Sequence, residues 1–279
     1  MANSYIDLTR LKDSRTGLNI SATSADALLL ELCEAASRAI DGHCSGELVG
    51  RRHFYSRIAT RVYTPAHGGR LDLPDDLLSI TTLKTDDDDD LTYENTWAVN
   101  TDYELYPYNA PAENRPYWRL RTRPDGNYTF PAGHQQGVQI VGKWGFWEDL
   151  VALTATLNEA LDTSETGVDV SDGTVLAVGQ TILIDSEQMY VTAISTNTLT
   201  VERAVNGTTA ASHLTAATIQ RYRYPRQVVT ATLMMVSRWW KRKDDAFAQQ
   251  LGSPDLGIVQ IGRALDWDVQ LLLSDFALG

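Results

Sequence analysis

Side chains that could do chemistry are few and scattered in this chain of 279 residues. No two of its five histidines are spaced four apart, as the HExxH motif of zinc proteases requires. They are His43, His53, His67, His134 and His213. The phosphate-binding motifs GxxxxGK[ST] and GxGxxG are absent, as is the GxSxG turn of many serine hydrolases. The sequence therefore predicts no catalytic residue, no metal site and no cofactor.

A run of five aspartates, residues 86–90, raises the question of calcium binding. An EF-hand loop needs a glycine at its sixth position and a glutamate at its twelfth. A loop that starts at any of the five aspartates has no carboxylate at position twelve. The run lies between two β-like segments, so we predict a solvated hairpin tip instead.

A second candidate site combines aromatic and acidic residues, as a sugar site with two catalytic carboxylates would. Its members are Trp144, Trp147, Glu148 and Asp149. Adjacent acids on one short segment rarely flank one bond from opposite faces. We therefore expect a strand whose aromatic side chains pack into the core.

Composition limits the function classes. The formal net charge is −12, which argues against a protein that coats nucleic acid or binds an anionic membrane surface. The N-terminal stretch has no apolar run, so no signal peptide is predicted, and no apolar segment is long enough to span a bilayer. Cys33 and Cys44 are expected to be reduced, partly buried thiols.

Helical spacing of apolar residues predicts a helix near each end of the chain and one more before the last. The first covers residues 24–41, with Gly42 as its expected stop. The other two cover residues 224–250 and 263–278, with a glycine- and proline-containing loop between them.

Short β-like runs separated by Pro, Gly and Asn fill residues 50–147. A second β unit covers residues 157–222, where apolar and polar residues alternate and Asn206-Gly207 predicts a turn. Arg203 is the only Lys or Arg between residues 148 and 220, so this unit is acidic, whereas the segment after it is mildly basic. Such segregation suits an assembly component with distinct surfaces, or serves solubility alone.

These patterns predict an α+β fold: a helical body from the N- and C-terminal helices, a short-stranded β region and an inserted small antiparallel β module. We divide the chain into residues 1–150 (N-terminal helix and β-rich region), 151–222 (acidic β module) and 223–279 (C-terminal helices that complete the body). Burial of about a dozen apolar side chains does not clearly offset the backbone entropy that is lost when about sixty residues become ordered. We therefore expect the module to rely on the rest of the chain or on neighbouring copies.

The order of segments resembles a known family. The N-terminal helix ends in "ASRAIDGHC", and "RLDLPDDLLSITTLKTDDDDDLTYENTWAVNTDYELYPYNAP", "PYWRLRTRP" and "VQIVGKWGFW" follow before a C-terminal helical pair. This order is similar to that of the head–tail connector proteins of tailed bacteriophages, also called adaptor or head-completion proteins. "VGQTILIDSEQMYVTAI" and "TLTVERAVNGTTAASH" resemble a β module common in phage structural proteins. Short family members lack this module.

The resemblance implies a structural virion protein in the neck, between capsid and tail, that is assembled in the host cytoplasm. Family members form a homo-oligomeric ring, usually of twelve copies, that joins the portal protein to a stopper or tail-completion protein. DNA passes through the ring channel without specific binding. The resemblance implies no catalysis, no cofactor and no membrane contact.

For the contact with partners we select Trp267, Leu271 and Phe276 on the last helix, with Trp239 and Trp240 divided between core and subunit interface. Two alternatives stay open. A tail or host-surface protein that binds carbohydrate is suggested by seven Trp and twelve Tyr. A cell-wall-degrading enzyme would need convergent carboxylates in a cleft.

Overall fold

A computed structural model of the protein describes residues 3–46, 52–243, 250–253, 257–260 and 265–278. Four α-helices occur within these ranges: α1 (Leu8–Lys12), α2 (Asp26–Cys44), α3 (Arg226–Arg242) and α4 (Trp267–Leu273). The first six strands are β1 (Arg57–Tyr63), β2 (Arg70–Thr85), β3 (Asn95–Trp97), β4 (Tyr103–Tyr106), β5 (Tyr117–Thr122) and β6 (Val138–Trp144). The next six are β7 (Leu150–Thr156), β8 (Gly167–Asp169), β9 (Thr181–Ile184), β10 (Glu187–Ser195), β11 (Thr198–Glu202) and β12 (Thr218–Tyr222). A last pair consists of β13 (Gln250–Ser253) and β14 (Gly257–Gln260).

Twelve of these strands form two antiparallel, six-stranded sheets. The first sheet has the order β1-β6-β2-β5-β4, with β3 added to the far end of β2. The second sheet, which we call the module sheet, has the order β7-β12-β9-β10-β11-β8. Among the described residues, β13 and β14 form a separate two-stranded sheet.

The prediction of an α+β fold with a helical body is wrong. Two antiparallel sheets dominate the described residues, and two of the four helices have only five and seven residues. The reason is that the short β-like runs, each weak alone, pair with one another and supply large hydrophobic cores. Helical periodicity identified the two long helices but not which elements would bury the most apolar surface.

Some of the helices, turns and loops predicted from the sequence are confirmed and others are wrong. The N-terminal helix is confirmed as α2, but it passes through Gly42 and ends at Cys44. Gly46, at a φ of +63°, takes the left-handed conformation that commonly follows a helix end. The turn at Asn206-Gly207 is confirmed, with left-handed φ values at both residues. The helix predicted over residues 224–250 corresponds to α3, which ends at Arg242, and Gln250 lies in a strand instead. The loop predicted after this helix is wrong where it is described, because β13 and β14 pair there in antiparallel fashion.

The chain forms two compact units. One consists of Met1–Glu47, Leu150–Val205 and Thr209–Gly279, and the other of Leu48–Asp149 with Asn206–Thr208. The three consecutive segments predicted from the sequence divide the chain by position rather than by packing, and they stay a prediction.

The module sheet packs aliphatic side chains on one another. Its fully buried residues include Ile182, Ile184, Met189 and Val191, and its core cluster contains no aromatic residue. The sheet is attached to α2 in the same unit, because the Tyr190 hydroxyl donates to Oε1 of Glu34 at 2.8 Å.

The first sheet, in contrast, has an aromatic core. Trp97 stacks on Phe130 with ring centroids 4.7 Å apart, and its Nε1 donates to the Thr85 hydroxyl at 2.9 Å. Trp144 has no exposed surface and donates to the Ala59 carbonyl. The expectation that the aromatic residue of this segment packs into the core is therefore confirmed for Trp144.

Candidate interaction surface

Helix α4 presents the largest exposed apolar side chains near the C-terminus. Trp267 is 76% exposed and Leu271 is 57% exposed. The two are four residues apart, so they lie one above the other on one helical face. Val269 and Leu273, on the opposite side, have no exposed surface. We call Trp267 and Leu271 the α4 face.

Arg238 of α3 holds the start of α4 in place. Its guanidinium donates to both carboxylate oxygens of Asp268, at 3.1 and 2.8 Å, and also pairs with Asp266. Asp268 lies in the first turn of α4, where a carboxylate also interacts favourably with the helix dipole. Although burial acts to raise it, the hydrogen bonds from Arg238 lower the pKa of Asp268. The α4 face therefore belongs to a helix whose first turn is held by ion pairs to α3.

The other predicted contact residues are not brought to this face as exposed side chains. Phe276, which follows α4, and Trp239 and Trp240 at the end of α3 are half-buried. The Lys243 ammonium lies 4.5 Å from the centroid of the Trp240 ring, a cation–π contact. Of the five residues selected from the sequence, the α4 face contains two.

The loop between β2 and β3, residues 86–94, brings several carboxylates close together in space, which the sequence did not reveal. We call it the aspartate loop. One oxygen from each of four residues lies within 4.8 Å of the others: Asp86, Asp88, Asp90 and Glu94. Such oxygens are the ligands that Ca²⁺ and Mg²⁺ prefer, so these four residues could hold a divalent cation.

The two kinds of aspartate in this loop have different environments. Asp87 to Asp90 are exposed, as predicted for a hairpin tip, but Asp86 is buried. Asp86 accepts backbone N–H groups from Asp89 at 2.8 Å and Leu91 at 2.7 Å, which explains its position without an ion. The neighbouring charge of Asp90, followed by burial and the charges of Glu94 and Asp86, raises the pKa of Asp88.

The module sheet contains a buried ionic cluster that the sequence did not reveal. Glu187 has no exposed surface, and its two oxygens accept from the Arg203 guanidinium at 2.7 and 2.8 Å. They also accept the backbone N–H groups of Ala204 and Ala211, at 3.0 and 2.9 Å. Burial acts to raise the pKa of Glu187, but the donors, Arg203 first, lower it to about 2.

His213 completes this cluster. Its Nδ1 lies 2.7 Å from Oδ2 of Asp185, and its Nε2 lies 3.0 Å from Oε2 of Glu187. The side chain has no exposed surface. Because both ring nitrogens are engaged and buried, His213 has no atom to offer a substrate, and the cluster is structural. Glu187 and Arg203 are sixteen residues apart, so only the antiparallel pairing of β10 and β11 could have revealed the cluster.

The first sheet carries an exposed aromatic group that sequence reasoning also missed. Tyr106 contacts Tyr108 and Trp118 edge-on, with ring centroids 5.4 and 5.5 Å apart. Tyr108 is 60% exposed and Trp118 is 42% exposed. The Tyr108 hydroxyl donates to Oε2 of Glu104 at 2.7 Å. Tyr106 lies on the edge strand β4, Trp118 on the neighbouring β5, and Tyr108 just after β4. We call these three rings the aromatic edge.

The proposed pair of sugar-cleaving carboxylates finds no support in the position of Glu148. Both of its oxygens accept from Nζ of Lys143 at 2.9 Å, so it forms an ion pair. Trp144, which would have formed part of the sugar platform, lies in the core.

No protein-family model, curated protein or solved structure matches this chain. In the part of the chain that the structure describes, no helix has the length and apolar character needed to cross a membrane.

Proposed function

We propose that this chain is a structural virion protein that forms a homo-oligomeric ring at the head–tail interface of a tailed bacteriophage. The ring joins the portal protein to a stopper or tail-completion protein and extends the DNA channel. The order of sequence segments suggested this role. The observation that supports it most directly is the α4 face, an exposed tryptophan and leucine on a helix that Arg238 and Asp268 hold in place.

The α4 face has the character of an interface anchor rather than of a whole interface. A tryptophan buries about 150–250 Å², whereas a stable contact buries about 800 Å² on each partner. Energetically dominant interface residues are enriched in tryptophan and cost about 2 kcal/mol or more when truncated. The rest of the interface must therefore come from other surfaces, and Trp267 would contribute a large share of its binding free energy.

The experiment compares the wild-type chain with a Trp267→Ser/Leu271→Ser double variant, by sedimentation, electron microscopy and pull-down with the portal protein of the same phage. The wild type should form rings or bind portal. The double variant should bind about 30-fold more weakly or worse. Leu214→Ser is the matched control, because Leu214 is 80% exposed and lies outside α4. The proposal would be refuted if the wild-type chain stays monomeric and does not bind the portal protein, or if the double variant assembles normally.

A second candidate function, carbohydrate binding by a tail or host-surface protein, is favoured by the aromatic edge. Sugars stack on exposed aromatic rings, and Glu104 and the Tyr108 hydroxyl offer hydrogen-bonding groups beside them. Glycan-array binding by the wild type that is lost in Trp118→Ala and Tyr108→Ala would support this function. Val99→Ala, at a 51% exposed residue of the same unit, is the control. Absence of glycan binding by the wild type would remove this candidate.

A further inference from the structure

A cavity of about 340 Å³ lies within the unit that contains the module sheet. Four arginines line it, Arg10, Arg221, Arg223 and Arg226, and among the described residues Asp7 is the one acidic residue in its lining. The net charge of the chain is −12, so this lining is opposite in sign to the chain as a whole.

Hydrogen bonds between distant segments fix the cavity walls. The Leu8 backbone N–H donates to the Val178 carbonyl at 3.0 Å. Nε2 of Gln180 donates to Oδ2 of Asp7 at 3.0 Å, and the Thr181 hydroxyl donates to Oδ1 of Asn3 at 2.8 Å. The N-terminal segment is thereby tied to the module sheet, so the cavity is a formed site rather than a gap between loose chains.

Three of the four guanidinium groups, those of Arg10, Arg221 and Arg226, have no ion-pair partner among the residues that the structure describes. Asp7 directs Oδ2 to Gln180 and accepts the backbone N–H of Arg10 with Oδ1 at 2.9 Å. Within the described ranges, no carboxylate lies within ion-pair distance of Arg10, Arg221 or Arg226. Arg10 and Arg226 are exposed, so water solvates their charge, whereas Arg221 is half-buried and less fully solvated.

The start of α3 adds to the positive potential. Arg226 is the first residue of this 17-residue helix, and Val229, one turn later, also lines the cavity. The first turn contains no acidic residue, and the N-cap residue Pro225 offers no side-chain hydrogen bond. A cation at the positive end of a helix dipole is unfavourable, whereas an anion there is stabilised by the dipole and the free N–H groups. An anion in the cavity would therefore satisfy both the arginines and the helix end.

We propose that this cavity binds a phosphate group, either inorganic phosphate or a small phosphomonoester. Guanidinium groups form charge-assisted, often bidentate hydrogen bonds with phosphate oxygens. The volume lies at the lower end of the range of about 300–1,000 Å³ found for small-ligand sites. A cavity of this volume can hold a phosphate with a small substituent. It is too small to enclose the backbone of a DNA duplex, whose phosphates lie on a convex surface.

The test is isothermal titration calorimetry of the full chain with inorganic phosphate, and separately with glycerol phosphate, at constant ionic strength. Binding should saturate, and Arg221→Ala and Arg226→Ala should each weaken it about tenfold or more, because a hydrogen bond to a charged group of this kind contributes about 1.5–3 kcal/mol. Arg15→Ala is the matched control, since Arg15 is exposed in the same unit but does not line the cavity.

Arg226→Ala separates binding from folding. The substitution removes a cation from the N-terminus of α3, where a positive charge is unfavourable. The thermal midpoint of unfolding should therefore stay the same or rise while phosphate binding weakens. A heat signal that does not saturate, or that is equal in all variants, would overturn the proposal, because it would show a general salt effect instead of binding at this site. Binding of a short DNA duplex without binding of either small phosphate would also overturn it, in favour of a nucleic-acid backbone contact.

Discussion

The Glu187 cluster of the module sheet and the exposed part of the aspartate loop surround their carboxylates in opposite ways. The module sheet buries Glu187 completely and surrounds it with donors from Arg203, His213 and two backbone N–H groups. The aspartate loop at the end of β2 exposes four consecutive carboxylates, and no lysine or arginine among the described residues lies within ion-pair distance of them. Charge content alone therefore does not tell which acid stabilises the fold, because the number of donors around each carboxylate decides it.

Removing the buried carboxylate should have the largest effect. Glu187→Ala leaves the Arg203 guanidinium, whose side chain is 7% exposed, with only carbonyl acceptors. Breaking a buried ion pair on one side costs about 3–5 kcal/mol, because the remaining charge is uncompensated. Denaturant unfolding measures the loss. Glu202→Ala, on the exposed side of neighbouring β11, should stay within about 0.5 kcal/mol of the wild type. Equal effects of the two substitutions would contradict the contrast.

Acid should reveal the same carboxylate. The pKa of Glu187 falls from its ordinary value of 4.5 to about 2 in the folded protein. A depressed folded-state pKa contributes stability that is complete above pH 4.5 and is lost as the pH falls towards 2. The free energy of unfolding of the wild type should therefore decline in this window, and that of Glu187→Gln should decline less. Parallel pH profiles for the two proteins would show that other groups cause the acid loss.

Asp41 is an intermediate case, buried but with fewer donors. It accepts from the Tyr5 hydroxyl and pairs with Arg38 at 3.1 Å. Burial raises its pKa to about 7 despite the charge of Arg38 and the hydrogen bond from Tyr5.

Because the folded-state pKa exceeds its ordinary value of 3.8, stability should decrease as the pH rises from about 4 through 7. Unfolding of Asp41→Asn, whose amide oxygen can still accept from Tyr5, should depend less on pH in this range. A steeper dependence in the variant would contradict the assignment.

The smallest effect is expected at the aspartate loop. Asp88→Asn removes one of several crowded like charges, so it should raise the thermal midpoint slightly at low salt, and the gain should shrink as salt screens the repulsion. Asp125→Asn, at an exposed aspartate of the same unit, is the control and should show no comparable gain. A loss of stability in Asp88→Asn would mean that the loop carboxylates are compensated by something else, such as a bound cation.

Parts of the fold could be predicted because they depend on neighbours along the chain. The apolar stripe of α2 and the Asn206-Gly207 turn are local patterns, and both are confirmed. The end of α2 was misplaced because a glycine inside a helix costs only about 1 kcal/mol, which packing easily overcomes. The overall class was wrong because strand pairing joins segments that are far apart, as when β12 lies between β7 and β9.

The candidate surfaces also differ in whether local sequence patterns could predict them. Trp267 and Leu271 were selected from helical spacing, and the structure places them on an exposed face. Phe276, Trp239 and Trp240 belong to the same apolar pattern, yet they are half-buried, because the spacing of residues along a helix does not tell which face its neighbours cover. The aromatic edge, the cluster around Glu187 and the arginine-lined cavity each combine residues from separate segments.

The amino-acid sequence by itself determined the acidic balance of this protein, the regular alternation of its module and the presence of its two long helices. These depend on composition and on short-range periodicity. Only the tertiary structure decided which charges are compensated, which aromatic side chains are exposed and where four arginines meet. Those outcomes depend on contacts between residues far apart in the chain, such as Asp7 with Gln180 and Glu187 with Arg203.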